Sequence, residues 1–347
     1  MSMPDYTLGL FANMYPAYEG DYRGIFIRQM VQDLEARDVI VHKAVKTTPS
    51  PLGYIPFYAE SLRLCRSPDL DLMQAEYIPH SSLVPALLGR RDIPLVLKFH
   101  GDDARVFPLK NRLYRKITSA MIRRADFVIT ASEEMQKPLI SLGLDPERCA
   151  VIHTGVDTGF FTCGSRDKAR MALGLPSDRT IFLFLGRLHP WKGIHEIVEV
   201  ARQCPAHSFV FVGPGIVPDH SSNCRFTGQM AKEEIRTWLR AADCLLLPTY
   251  TEAVPASVME AFACGIPAIT TDAGGCPEIV EDGKTGLLVP VRDVNALRNV
   301  VEWMDRNPEE RVRMGALGRI VVYERYDHEI LVKKMKGIHI HLIQNYR

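Results

Sequence analysis

The stretch Leu246-Leu-Pro-Thr-Tyr-Thr-Glu-Ala-Val-Pro-Ala-Ser-Val-Met-Glu-Ala-Phe-Ala-Cys-Gly265 joins an apolar run to a helical pattern. A buried strand should end at Pro248 and a helix begin near Pro255, because proline suits a first helical turn. Glu252 then lies in the loop at the helix mouth, and Glu260 about one turn beyond Ala256 and Ser257. Backbone N–H groups of the opening turn, with the positive end of the helix dipole behind them, suit a diphosphate. Two carboxylates beside such a site are poor phosphate ligands, and their natural partners are hydroxyls, as on sugar or ribose rings.

The same strand–helix alternation runs outward in both directions. Strand candidates are Leu8–Ala12, Val39–Val45, Leu72–Ala75, Leu95–Phe99, Phe127–Thr130 and Ala150–Ile152. A second series comprises Ile181–Leu185, Phe209–Val212, Cys244–Leu247, Ala268–Thr270 and Leu287–Val289. Helical patterns such as Phe26–Ala36, Leu113–Arg124, Ile194–Gln203 and Glu233–Ala242 lie between them. This predicts parallel sheets covered on both faces. A chain of 347 residues exceeds what one core usually covers. The expectation is therefore α/β, with two Rossmann-like doubly wound domains facing across a cleft. Residues 1–155 and 156–326 would form the domains, and 327–347 a helix crossing back to the first.

Composition narrows the function. The chain is 46% hydrophobic and 24% charged with a formal net charge of +1, which gives no electrostatic case for nucleic acid. No apolar stretch reaches membrane-spanning length, and the start of the sequence has no signal-peptide pattern. Eight scattered cysteines without a C-x-x-C pair suggest reduced thiols and a cytoplasmic setting.

Phe184-Leu-Gly-Arg-Leu-His-Pro-Trp-Lys-Gly193 ends a strand at a glycine and brings Arg187 and Lys192 to the sheet rim. A cationic pair there can stabilise a departing diphosphate, whose charge grows as its bond breaks. Taken with Val212-Gly-Pro-Gly215, Glu260-Ala-Phe-Ala-Cys-Gly-Ile-Pro267, Thr271-Asp-Ala-Gly-Gly-Cys-Pro-Glu278 and Asp282-Gly-Lys-Thr-Gly-Leu-Leu-Val289, these segments resemble the retaining GT-B glycosyltransferases of family 4. Gly20-Asp-Tyr-Arg-Gly-Ile-Phe-Ile-Arg-Gln29, Leu97-Lys-Phe-His-Gly-Asp-Asp103, Ala125-Asp-Phe-Val-Ile-Thr-Ala-Ser132 and Gly155-Val-Asp157 extend the likeness to the N-terminal half, in the surface-polysaccharide variant.

The resemblance implies a nucleotide-sugar donor of UDP or GDP type, a saccharide or lipid-linked acceptor, and no metal or other cofactor. It implies that Arg187 and Lys192 contact the diphosphate, Glu252 a donor-sugar hydroxyl and Glu260 the ribose. Gly24, Gly213, Ala256 and Ser257 would meet the donor through their backbone, and His100 would approach the reacting sugar. The chain departs from the family pattern at Thr154, at Ala253-Val-Pro255, and in lacking a Gly-Gly pair in the first loop, where Gly20 and Gly24 stand instead.

Other elements have structural readings. Asp69, Asp71, Asp102 and Asp103 suggest structural or substrate-positioning carboxylates more than a metal-binding D-x-D element, and Cys264 suggests packing. In Asn111–Arg124, Leu113, Ile117 and Met121 would line an apolar face, with Arg112, Arg115, Lys116 and Arg123 on the other. The basic face is expected to allow peripheral contact with an anionic membrane at its inner surface. Three rival functions share this frame. A dinucleotide oxidoreductase would need a G-x-G-x-x-G fingerprint, which Leu8–Gly24 lacks. A GT-B epimerase or phosphorylase, and a non-catalytic nucleotide-sugar-binding subunit, stay open.

Overall fold

The computed structural model describes residues 4–18, 21 and 23–346. The chain divides into two compact units, one holding residues up to Thr154 together with Glu329 onward, the other Gly155–His328. The division thus falls one residue before the expected first boundary and two after the second.

Unit 1 carries β1 (Tyr6–Ala12), β2 (Val39–Val45), β3 (Leu72–Glu76), β4 (Leu95–Phe99), β5 (Phe127–Thr130) and β6 (Cys149–Val151). They pair in parallel in the order β2-β1-β3-β4-β5-β6. Unit 2 carries β7 (Ile181–Leu185), β8 (Ser208–Val212), β9 (Cys224–Gly228), β10 (Cys244–Leu247), β11 (Ala268–Thr271) and β12 (Gly286–Val289). Their order, β12-β11-β10-β7-β8-β9, is also parallel throughout. Both orders are doubly wound, and unit 2 has the full Rossmann arrangement of two mononucleotide-type halves. The central strands β4 and β7 are buried along their whole length, as sheets covered on both faces require.

Each order reverses at one point, between β1 and β3 in unit 1 and between β7 and β10 in unit 2. Loops leaving the carboxyl ends of these strands diverge there and create a crevice. The helix His328–Asn345 buries Leu331, Val332 and Met335 in the hydrophobic core of unit 1.

Three local features differ from the expectations. Cys224–Gly228 is an edge strand, which its mixed burial and terminal glycine conceal from pattern reading. Pro255 is the residue before the helix rather than its first member, and the helix spans Ala256–Ala263. In the helix Arg112–Arg124 the buried face is Thr118, Met121 and Ile122, whereas Leu113 points outward and is 63% exposed. The apolar stripe is therefore rotated, and Leu113 belongs to the same surface as the basic residues.

Candidate functional site

The crevice of unit 2 is built from loops stitched to one another by backbone. Gly193 has φ +74°, and a Cβ placed there would lie 2.1 Å from the Pro248 carbonyl oxygen. Only glycine allows this approach, which lets the loop after β7 lie against the loop after β10. Tyr250 N–H donates to the Trp191 carbonyl at 2.8 Å, and Thr249 Oγ1 to the same carbonyl at 3.1 Å. Thr271 Oγ1 donates to the Thr249 carbonyl at 2.5 Å, and Gly275 N–H to the Glu252 carbonyl at 3.0 Å. A third loop closes on the first at Gly213, where a Cβ would meet the Gly186 carbonyl oxygen at 1.9 Å. The structure therefore gives Gly213 a packing role within the rim.

On this frame Lys192 and Glu252 are in direct contact through Nζ and Oε1. Arg187 is exposed on the same loop. Pro255 accepts from Val258 and Met259 N–H at 3.1 and 3.3 Å. The N–H groups of Ala256 and Ser257 precede them and have no intrahelical acceptor. Glu260 is partly covered in the same short helix, and its carboxyl accepts no hydrogen bond from a described residue. Burial pushes that carboxyl up to about 7, with the Lys232 charge pulling against it. The arrangement thus offers two backbone donors without an intrahelical acceptor, a Lys–Glu pair, an exposed arginine and a carboxyl poised near neutrality. Cys264, behind them, is buried, and burial pushes its thiol up to about 12, as packing requires.

In unit 1, His100 follows β4. Its ring lies 4.9 Å from Tyr77, stacked, and 4.8 Å from Phe26. Its Nε2 is hydrogen-bonded to Glu76 Oε2. Its backbone N–H donates to Asp103 at 2.9 Å, as do Gly101 at 2.8 Å and Ile78 at 3.2 Å. Asp103 is therefore a buried structural carboxylate, and Asp71 likewise accepts Thr7 N–H at 2.8 Å. Among the described residues no group of three or more His, Cys, Asp or Glu could hold a metal ion. Gly24 has φ +65°, and a Cβ would lie 2.5 Å from the Met14 carbonyl oxygen, so its own chain already demands glycine. Gly20 lies outside the described residues.

Pattern reading missed Glu76, which bonds His100, and Gln74, Lys98 and His339 behind it, all of them buried. The available signal was a lysine within Leu95-Val-Leu-Lys-Phe99 and a glutamate ending Leu72-Met-Gln-Ala-Glu76, since charges in buried strands need partners. The basic helix forms a surface depression of about 340 Å³ with Arg112, Arg115, Lys116, Ser119 and Arg123 on its walls. No described helix is long and apolar enough to cross a membrane.

Two parallel doubly wound units, each with its loops gathered at the switch point, define the GT-B class of α/β protein. The chain belongs to the group 1 glycosyltransferases of family 4. The model "Glycosyl transferases group 1" matches residues 165–320, and "Glycosyl transferase 4-like domain" matches residues 12–155. D-inositol 3-phosphate glycosyltransferase of Mycolicibacterium smegmatis is 33% identical over 213 residues, covering 56% of this chain and 49% of that protein. The chain thus spans about half the length of the curated relatives it matches. Sucrose-phosphate synthase from Thermosynechococcus elongatus has the same fold, with a TM-score of 0.82 at 21% identity over 98% of this chain and 99% of that one. So does Anabaena Alr3699/HepE in complex with UDP-glucose, with a TM-score of 0.77 at 19% identity over 96% and 99%.

Proposed function

We propose that this chain is a metal-independent, retaining hexosyltransferase that uses a UDP- or GDP-sugar and glycosylates a saccharide or lipid-linked acceptor in glycan or polysaccharide synthesis. The observation that carries this reading is the helix mouth of unit 2. Ala256 and Ser257 open the helix there with no intrahelical acceptor for their N–H groups, and Lys192–Glu252 and Glu260 stand on the same frame. Backbone donors and the helix dipole favour a diphosphate, and carboxylates favour the hydroxyls on either side of it. The relatives named as glycosyltransferases and the fold neighbour holding UDP-glucose support the same donor chemistry.

In the proposed reaction the acceptor oxygen bonds to the anomeric carbon on the face that the diphosphate leaves. The departing phosphate oxygen takes the acceptor's proton. Lys192 and Arg187 stabilise the charge that grows on that phosphate, Glu252 and Glu260 hold hydroxyls, and His100 positions or polarises the sugar. The protein would act in the cytoplasm, with the basic helix of unit 1 in peripheral contact with the anionic inner membrane face. Thermal unfolding with UDP, GDP, ADP and their sugars tests the donor, because a ligand of the folded state stabilises in proportion to its affinity. A rise with UDP or GDP but not ADP is expected. No rise with any of them would overturn the reading. Nucleotide release that needs an acceptor separates transfer from epimerisation, and a requirement for inorganic phosphate would indicate phosphorolysis.

A further inference from the structure

A single chain of buried hydrogen bonds runs from the C-terminal helix to His100. Tyr6 OH lies 2.7 Å from His339 Nδ1, and His339 Nε2 lies 2.7 Å from Gln74 Oε1. Gln74 Nε2 meets Glu76 Oε1, and Glu76 Oε2 meets His100 Nε2. All of Tyr6, Gln74, Glu76 and His339 are buried.

The direction of every bond follows from donor and acceptor chemistry. An ionised carboxylate only accepts, so Gln74 turns its amide NH₂ to Glu76 and its carbonyl to His339. His339 must then donate from Nε2 and accept at Nδ1 from Tyr6, which is the neutral imidazole. Burial, which pushes His339 down to about 3, agrees. At the other end a neutral His100 must carry its proton on Nε2, facing the Glu76 carboxylate, which leaves Nδ1 as the ring's acceptor atom.

Glu76 can stay ionised because buried Lys98 lies beside it. Burial works against the charge, but the Lys98 cation and the bonds from His100 and Gln74 outweigh it and hold the carboxyl below its usual range. The His100 ring also packs against Phe26 and Tyr77, and its backbone is held by Asp103.

We propose that Glu76, backed by Gln74, His339 and Lys98, is the positioning residue of His100, setting the ring's orientation and its Nε2–H tautomer. The inference rests on the reading that His100 serves the transferred sugar. It makes the C-terminal helix, through His339, part of the support of that residue.

The test uses the full chain labelled with ¹⁵N-histidine and long-range nitrogen–proton correlation spectra. His100 in the parent should show Nε2 protonated and Nδ1 bare. Glu76→Gln offers one acceptor oxygen to two donors, Gln74 and His100, so the His100 proton should shift to Nδ1. Its kcat should fall roughly 10- to 100-fold with the donor KM within about twofold, the range of a misplaced acid–base or polarising group. Glu76→Gln combined with His100→Ala should lose no more than His100→Ala alone, since residues that act as one unit are not additive. An unchanged His100 tautomer in Glu76→Gln, or losses that multiply in the double variant, would overturn the proposal. Should Glu76→Gln fail to fold because Lys98 is left unpaired, Glu76→Gln/Lys98→Met removes both charges and carries the same tautomer test. Parental transfer by His100→Ala would instead sink the role given to His100, and the spectra would decide Glu76's hold on the ring separately.

Discussion

The two candidate sites treat charge in opposite ways. The unit 2 site carries its ionic groups on loops held together by backbone bonds, with Arg187 exposed and the Lys192–Glu252 pair only partly covered. Unit 1 buries Glu76 and Lys98 as neighbours in adjacent strands and closes Glu76 into a network with Gln74, His339 and His100. A rigid frame with backbone donors suits binding a strongly charged ligand, whose own charge replaces water. An inward network suits fixing one ring, because a buried polar group left unpaired costs about 1–3 kcal/mol. The contrast predicts that substitutions in unit 2 act on the donor, while those around His100 act on the turnover number.

The largest effect should come from the unit 2 frame. Lys192→Ala and Glu260→Ala are each expected to lower transfer at least about 100-fold, near 2.7 kcal/mol of barrier. Nucleotide release in the presence of acceptor measures this, and activity within about threefold of the parent would remove both assignments. Next comes Gly193→Ala, whose Cβ would strike Pro248 and whose backbone is left-handed. It should cost about 2–3 kcal/mol of unfolding free energy. Gly283→Ala has a similar φ of +72° but open space around it, and should cost about 1 kcal/mol. Equal losses in thermal unfolding would show that loop contact adds nothing beyond backbone strain.

The comparison also explains what sequence could reveal. The unit 2 segments are contiguous, so Gly186-Arg187 through Lys192-Gly193 and Glu252 through Glu260 could be read directly, as could all the strands but Cys224–Gly228. Its exposed face and closing glycine look like a loop. The support of His100 could not be read. Tyr6 and His339 are 333 positions apart, and His339 and Gln74 are 265 apart. No periodicity records such a contact. Leu113 was misplaced for a related reason. The helix has apolar residues on two sides, and packing against the rest of unit 1, not spacing, selects Met121 and Ile122.

A smaller effect should follow from pH. Burial raises the Glu260 carboxyl to about 7, so the folded protein holds a proton there that the unfolded chain releases near its ordinary value. If the ionised form accepts the ribose hydroxyls, donor binding should be full above pH 8. It should weaken about tenfold on going to pH 6, where roughly nine molecules in ten are protonated. Titration calorimetry with UDP or GDP at the two pH values measures this, and Glu260→Gln should flatten the difference. The same shift reduces folding stability as pH rises from about 4.5 through 7, where the unfolded carboxyl ionises before the folded one. A Kd independent of pH would detach Glu260 from the hydroxyl role.

The smallest effect concerns a surface of unit 1 that follows the opposite rule from Lys98. Arg112, Arg115, Lys116 and Arg123 stand around the depression beside outward-facing Leu113, with Val106 and Leu109 also exposed. Cations that remain hydrated beside exposed apolar groups can meet a membrane surface without the desolvation that Lys98 has already undergone. Each such charge contributes about 1 kcal/mol near an acidic bilayer. Arg115→Ala should therefore reduce co-sedimentation with phosphatidylserine-containing vesicles roughly fivefold and leave transfer to a soluble acceptor unchanged. Leu113→Ala should weaken vesicle binding by a similar or smaller factor, through lost apolar burial instead of charge. Raising the salt should diminish the Arg115 effect but not the Leu113 effect, since only the first is screened. Binding that ignores the phosphatidylserine content would remove the membrane from the description of this surface.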